Sequence, residues 1–533
     1  TYDVITSTTI AASKSLQTSA ALNYYSSVDG GPDFTPGVDP LDTADQTIAA
    51  PVVTKVFANG SLTDDDSSAV HTTGADLVIG ESMLYDIVVR LPEGSTQSLR
   101  IKDLIPAGMT LDSNFDTVGY QIITSSAVSG ALTANFAGSI GSITSSTPGG
   151  DGSDLTLTLS AASATDDNTA GNNSFVVRVR LIASNVTGNQ TGVTRPNSAE
   201  VIYSDPDGDT PNGSAALDRT VALSGSQPSI TVREPTLTVT QSQTNNGGPL
   251  GVDRNDEITY TITIRNNSGI NAFDISFLDT VPSQLIFSEP GFGLQSLTYA
   301  GGATNNGGAD FVIGSSTIIN APTANIDIPT GGSIELVIKG RVRSDLGSIN
   351  DIVNTATVEW TSLDGASITP TSGERSGVDG LLNSGVLNDY RNSNSLTVPV
   401  AAGSTISHVG LLPDTPVPTP DTSRTETVAV GELIYYRVAF LVPEGDTNNA
   451  SVVINLPTGL SFAGDTRVAI VDGGTSLVST SIIGGLAVIP GAGHVNQDIT
   501  DLEQSLLAAD LSNAATAALK TSLIDATTPN AIK

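Results

Sequence analysis

Apolar residues recur at every second position in short runs along this chain, as in LYDIVVRL (84–91), ITYTITIR (258–265) and SIELVIKGRVR (333–343). Between the runs stand turn-forming clusters such as NNSG (266–269), DPDGD (205–209) and TPGGDG (147–152). Period-two alternation places one face of each strand against a core and the other in water. Many short strands divided by Gly, Asn, Asp and Pro predict an all-β chain of β-sandwiches. The alternating positions are mostly Val, Ile and Leu, so the predicted cores are aliphatic. One segment departs from this pattern: Leu502, Leu506, Leu507, Leu511 and Leu519 recur at helical spacing, which predicts a small helical insert over 495–526.

The pattern repeats. Residues 79–111, 254–287 and 430–462 share an acidic residue, an aromatic four positions later (Tyr85, Tyr260, Tyr436) and a later proline (Pro106, Pro282, Pro457). The tyrosines are 175 and 176 residues apart and the prolines 176 and 175. Such a steady period marks tandem domains. A second motif, NSAEVIYSDPDG at 197–208, returns as NTATVEWTSLDG at 354–365 and SAALNYYSSVDG at 19–30, each read as a strand with an aromatic (Tyr203, Trp360, Tyr25) and an Asp-Gly turn. These landmarks divide the chain into 1–50, the closing strands of a preceding unit; 51–234 and 235–405, two complete sandwiches; and 406–533, a partial one carrying the helical segment. The early copy of the closing motif predicts that the chain is a window on a longer array. The linkers are short, which predicts neighbours held in a semi-rigid line.

Composition narrows the function. At 533 residues there is ample chain for several self-sufficient cores. With 55 acidic against 22 basic residues, a net charge of −33 disfavours nucleic acid and anionic lipid. Only 14% of residues are charged and polar small residues abound, as in secreted β-rich proteins. No apolar run is long enough to span a membrane. There is no Cys, hence no disulfide, thiolate metal site or thiol nucleophile. His71, His408 and His494 are scattered, with no nucleophile beside them, which argues against an enzyme.

An opening strand, YTITIRNNSG, an LDTVPSQL turn and a closing VNTATVEW strand together resemble the DUF11-type Ig-like repeats of very large bacterial surface proteins. Residues 373–390, GERSGVDGLLNSGVLNDY, look like the Gly-rich insert of such repeats. The resemblance implies an extracellular structural segment of a rod, filament or surface-layer module that associates with copies of itself. The alternative is an adhesin stalk that binds a glycan or protein partner. Some relatives form intramolecular Lys-Asn isopeptide bonds, which implies a candidate set of Lys55, Asn197 and Asp103 in the first unit.

That chemistry needs a buried carboxyl kept protonated by apolar surroundings. The second unit keeps Asp279 and Asn354 but is read with Val239 at the lysine position, and the third has Ile454 at the aspartate position. On the plainer reading Lys55 is an exposed lysine, Asn197 and Asn354 satisfy backbone groups, and Asp103 and Asp279 shape a turn before proline. Ca2+ is the other ligand candidate. Asp205, Asp207 and Asp209 alternate around a glycine turn, so hard oxygens could converge there. Asp64, Asp65, Asp66, Asp151, Asp154 and Asp364 are weaker sites, and solvated turn formation accounts for all of these equally well.

Overall fold

In a computed structural model, the residues described are 2–7, 9–34, 41–58, 71–146, 148–210, 213, 215–247, 251–314, 316–344, 351–365, 373–377 and 390–401, and after 401 chiefly strand backbone. The chain is nearly all β; among the described residues helix is limited to 3₁₀ turns, of which Phe115–Thr117 and Ala170–Asn172 are described in full.

The first core lies between two antiparallel sheets. One runs Val52–Phe57, Ser82–Arg90, Ser174–Ala183 and Met109–Leu111, with Tyr120–Ile123 also on Ser174–Ala183. The other runs Ile143–Ser145, Leu155–Leu159, Gly94–Leu104, Ser198–Asp205 and Leu217–Ala222. Val53, Tyr85, Ile87 and Val89 from the first pack with Leu99, Ile101, Leu157 and Val201 from the second. The second core repeats this, with Leu237–Asn245, Glu257–Asn266 and Ser333–Val342 facing Phe273–Thr280, Ile352–Thr361 and Arg391–Val398. Strict alternation is visible in Glu257–Asn266, where Ile258, Tyr260, Ile262 and Ile264 are fully buried and their neighbours are not. Each such aliphatic side chain contributes about 1.5–3 kcal/mol on burial. In both sandwiches the central strand breaks at a bulge whose residue adopts a left-handed backbone, Ser98 (φ 52°) and Asp274 (φ 48°).

The opening pair of strands occurs three times: Val52–Phe57 on Ser82–Arg90, Leu237–Asn245 on Glu257–Asn266, and Ile406–Asp414 on Leu433–Val442. Residues 1–50 contribute a two-stranded ribbon, Ser15–Ala21 against Leu41–Thr47. Here the structure corrects the expected strand position. Tyr25 lies past the strand end, exposed, with its ring edge-on to Phe34 at 6.4 Å. Tyr203 and Trp360, its counterparts, are buried within their strands because an opposing sheet covers them. The expected helix over 495–526 is also corrected where it is described: His494–Asp498 is a strand paired to Ser451–Asn455, and 499–526 lie outside the described residues. Asp64, Asp65 and Asp66 lie outside them too.

Candidate functional site

Lys55 sits on an edge strand where Val53 and Lys55 both turn inward. It is 3% exposed, which overturns the reading of an ordinary surface lysine. The alternation Val53–Lys55–Phe57 was the signal for this. Its ammonium donates to Asp103 Oδ1 and, at 3.2 Å, to the Ser198 carbonyl, and it stands 5.2 Å from the centre of the Tyr85 ring. Asp103 comes from the central strand of the opposite sheet, and both side chains are fully shielded from water.

Asn197, immediately before the strand Ser198–Asp205, completes the group. It is 0% exposed, its backbone N–H donates to the Pro228 carbonyl at 2.9 Å, and its side chain lies beside Asp103. Asn197 Oδ1 and Nδ2 and Asp103 Oδ2 have no partner of good hydrogen-bond geometry, although the amide lies close enough to the Asp103 carboxyl to favour its charged form. A buried amide with both atoms unsatisfied costs free energy and calls for an explanation. Burial pushes the Lys55 amine down to about 8 against the attraction of Asp103. Burial likewise raises the Asp103 carboxyl above its ordinary range, Lys55 and Asn197 opposing. Both shifts favour the neutral amine and the neutral acid.

The second sandwich corrects the expected alignment. Val239 pairs with Ile264, whereas Gln241 pairs with Ile262, the counterpart of the Ile87 that faces Lys55. Gln241, not Val239, therefore occupies the lysine position: Lys55 stands four residues after Pro51 and Gln241 six after Pro235, so a match counted from the prolines falls one inward-facing position short. Its Nε2 donates to the Asn394 carbonyl at 2.6 Å and its Oε1 accepts from Asn354 Nδ2 at 3.0 Å. Beneath it, burial raises Asp279 to about 7, with Asn354 opposing. In the third pair of strands His408 holds the matching backbone position, opposite Val438, and Ile454 replaces the acid. Lysine, carboxyl and asparagine meet only in the first sandwich among the described residues.

Asp205, Asp207 and Asp209 are brought to one turn, but as acceptors for cations already in the chain. Arg219 donates to Asp205 Oδ2 and Asp209 Oδ1, both at 3.2 Å. Asp207 accepts from Lys14 Nζ and from the backbone N–H of Ser15, and Asp205 Oδ1 accepts the Asp207 N–H at 3.0 Å. Among the described residues no three His, Asp or Glu side chains are grouped to hold a metal ion. Asp151 accepts the Gly108 N–H at 2.8 Å, Asp154 pairs with Lys102 at 3.0 Å, and the Asp364 N–H donates to His71 Nε2 at 3.1 Å.

Known proteins offer little direct guidance. No protein-family profile matches the chain, and no curated protein does. Among solved structures, the full-length major pilin SpaD of Corynebacterium diphtheriae is 10% identical, with 76% of this chain and 78% of that one covered and a TM-score of 0.23. The 35 kDa C-terminal fragment of the major pilin GBS80 of Streptococcus agalactiae is 11% identical, with 66% and 91% covered and a TM-score of 0.21. The Enterococcus faecalis MSCRAMM ACE, described as binding its ligands by the collagen hug model, is 11% identical, with 65% and 96% covered and a TM-score of 0.17.

Proposed function

We propose that this chain is a structural, load-bearing segment of an extracellular bacterial surface protein, and that its first sandwich is stapled by an isopeptide bond between Lys55 and Asn197. The observation that carries the reading is the buried group of Lys55, Asp103 and the Asn197 amide, which lies against Asp103 without a well-formed hydrogen bond. An ion pair placed there for stability alone would leave Asn197 unexplained, since a buried pair is itself weak evidence for stability.

The neutral Lys55 amine attacks Asn197 Cγ while the protonated Asp103 carboxyl donates to Asn197 Oδ1, making the carbon more electrophilic. The Nζ–Cγ bond forms, one Nζ proton passes through Asp103 to the departing Nδ2, and the Cγ–Nδ2 bond breaks. Amine and amide become a secondary amide plus ammonia, with no oxidant or cofactor. The apolar walls, Tyr85 among them, keep both reactants uncharged and exclude water. The bond would join the opening strand of the sandwich to its closing strand, so that tension passes through the staple and bypasses the strands between.

Intact-mass measurement of the purified protein tests this. A chain lighter than its sequence by about 17 Da, the mass of one ammonia, is expected, with the full mass restored in Lys55→Ala and Asp103→Ala. A wild-type chain at full mass would sink the staple.

A further inference from the structure

Arg375 lies in the Gly-rich insert of the second sandwich, yet nearly all its polar partners belong to the first sandwich or to the junction. Among the described residues it is the largest side chain that is fully buried. Its Nε donates to Asn185 Oδ1 at 3.0 Å, Nη1 to the Asn189 carbonyl at 2.8 Å and to Glu234 Oε1, and Nη2 to the Val186 carbonyl at 2.7 Å. Asn185, Val186 and Asn189 form one loop of the first sandwich, and Glu234 is the residue at which one sandwich passes into the next. Glu234 is itself fixed, its Oε2 accepting the Thr191 N–H at 2.7 Å.

The backbone around Arg375 is tied across the same seam. Its N–H donates to Ser362 Oγ at 2.9 Å, and Ser362 Oγ donates to the Ile79 carbonyl of the first sandwich at 2.7 Å. Asn185 Nδ2 donates to the Glu374 carbonyl at 3.1 Å. Gly80 has φ +90°, and a Cβ there would stand 2.9 Å from Leu363 Cδ1 and 3.2 Å from Glu374 Cα, so the seam closes on bare backbone. On its other side the guanidinium lies over Tyr390, which stacks on Trp360, and Trp360 Nε1 donates to the Pro235 carbonyl at 3.2 Å.

We infer that residues 373–377 are an intramolecular latch, with Arg375 as its bolt, that locks the two sandwiches at one fixed angle. A guanidinium presents rigid planar donors, and here they meet four acceptors contributed by a loop and a hinge. Any swing about Glu234 and Pro235 would pull a buried cation off its acceptors with no water to replace them, an uncompensated state that a flexible linker does not face. The contrast is with neighbouring domains joined by a small polar interface, for which relative motion is the default. The closing turn docks backwards at the earlier junction too: Asp207 of the first sandwich holds Lys14 and Ser15, as the Asp364 turn of the second meets His71.

The chain has no cysteine, so spin labels at Thr158→Cys and Ser296→Cys, exposed positions on the two sandwiches, report their separation without background. A single narrow distance distribution is expected in the parent, and one at least about twofold broader in Arg375→Ala, as free hinge motion returns. Calorimetry should show the joint melting of the two sandwiches splitting into separate transitions in the variant. A purely local structural role would lower the melting temperature while leaving the distribution narrow. An Arg375→Ala distribution as narrow as the parent's overturns the latch. Should that variant fail to fold, Arg375→Lys, which keeps the charge but reaches too few of the acceptors, carries the same test with the same two outcomes.

Discussion

Lys55 and Gln241 occupy the same place in successive sandwiches, each opposite an isoleucine of the second strand, Ile87 and Ile262, and each touching a buried aspartate–asparagine pair, Lys55 through Asp103 next to Asn197 and Gln241 through Asn354 next to Asp279. One residue separates a site with a nucleophile from a site without one. Gln241 has no lone pair on nitrogen to offer, since amide resonance withdraws it, and its Oε1 instead accepts a hydrogen bond from Asn354 Nδ2, leaving Asn354 Oδ1 without a well-formed one.

Gln241→Lys should therefore install a second staple, to Asn354, with Asp279 as the proton carrier. Asp279, raised to about 7 by burial, is half protonated near pH 7 and mostly so below it, which supplies the neutral acid the reaction requires. The expected readout is a further loss of about 17 Da from the intact mass, absent when Asn354→Ala is added. A Gln241→Lys chain that folds and keeps its mass would show that register and burial are insufficient.

The second sandwich should be more stable in mild acid than in mild alkali. Burial raises Asp279 and Asp274 to about 7 and Asp327 to about 6, with Asp327 and Glu374 adding to Asp274 and Asp364 to Asp327 by charge repulsion. A carboxyl whose folded value lies above its unfolded one binds more protons when folded, so its stabilising contribution is whole below about pH 4 and is lost as pH rises through the folded value. For Asp279 the full swing is up to about 4 kcal/mol. Unfolding followed between pH 5 and pH 8 should show the melting temperature falling, and Asp279→Asn should flatten the slope. A slope of the opposite sign would mean that a cation neutralises these carboxyls in the folded protein.

The strands were legible because alternation in 258–264 or 199–203 coincides with what a half-buried sheet demands, and the repeat period supplied the pairing of equivalent strands. Asp103 and Asn197 were legible for the same reason, each falling at a repeated position. Gln241 was not, because matching the opening strands requires the hydrogen-bond register, which a count from the opening prolines does not supply. Arg375 was hidden more completely: it stands among Gly, Ser and Asn with no periodicity, and the acceptors of its guanidinium are more than a hundred residues away in sequence. Tyr25 shows the converse failure, a motif present without the opposing sheet that would bury it.

The turn at 205–209 yields a prediction about metal. Arg219 and Lys14 already supply the positive charge its carboxylates require. A chelator should leave the melting temperature unchanged, and Arg219→Ala, which takes the cation from the buried Asp205 carboxylate as well as from the exposed Asp209, should cost about 1–3 kcal/mol, the penalty of a buried polar group left short of a partner. A clear drop in melting temperature with chelator, reversed by added calcium, would instead place a cation among Asp205, Asp207 and Asp209 and make Arg219 its competitor.

Mechanical unfolding distinguishes a stapled sandwich from one held by hydrogen bonds alone. If Lys55 is joined to Asn197, the chain between them cannot lengthen when the ends are pulled. Those residues span 197 − 55 = 142 steps of backbone, worth roughly 470–510 Å when fully extended. In single-molecule stretching, the wild type should lack that increment, while Lys55→Ala and Asp103→Ala should release it in a discrete step. The second sandwich, with Gln241 in the lysine position, should unfold fully in both. A wild-type trace containing the long increment would show that load runs through the strand ladders themselves, whereas its absence places the load on the one bond that Lys55, Asp103 and Asn197 are positioned to make.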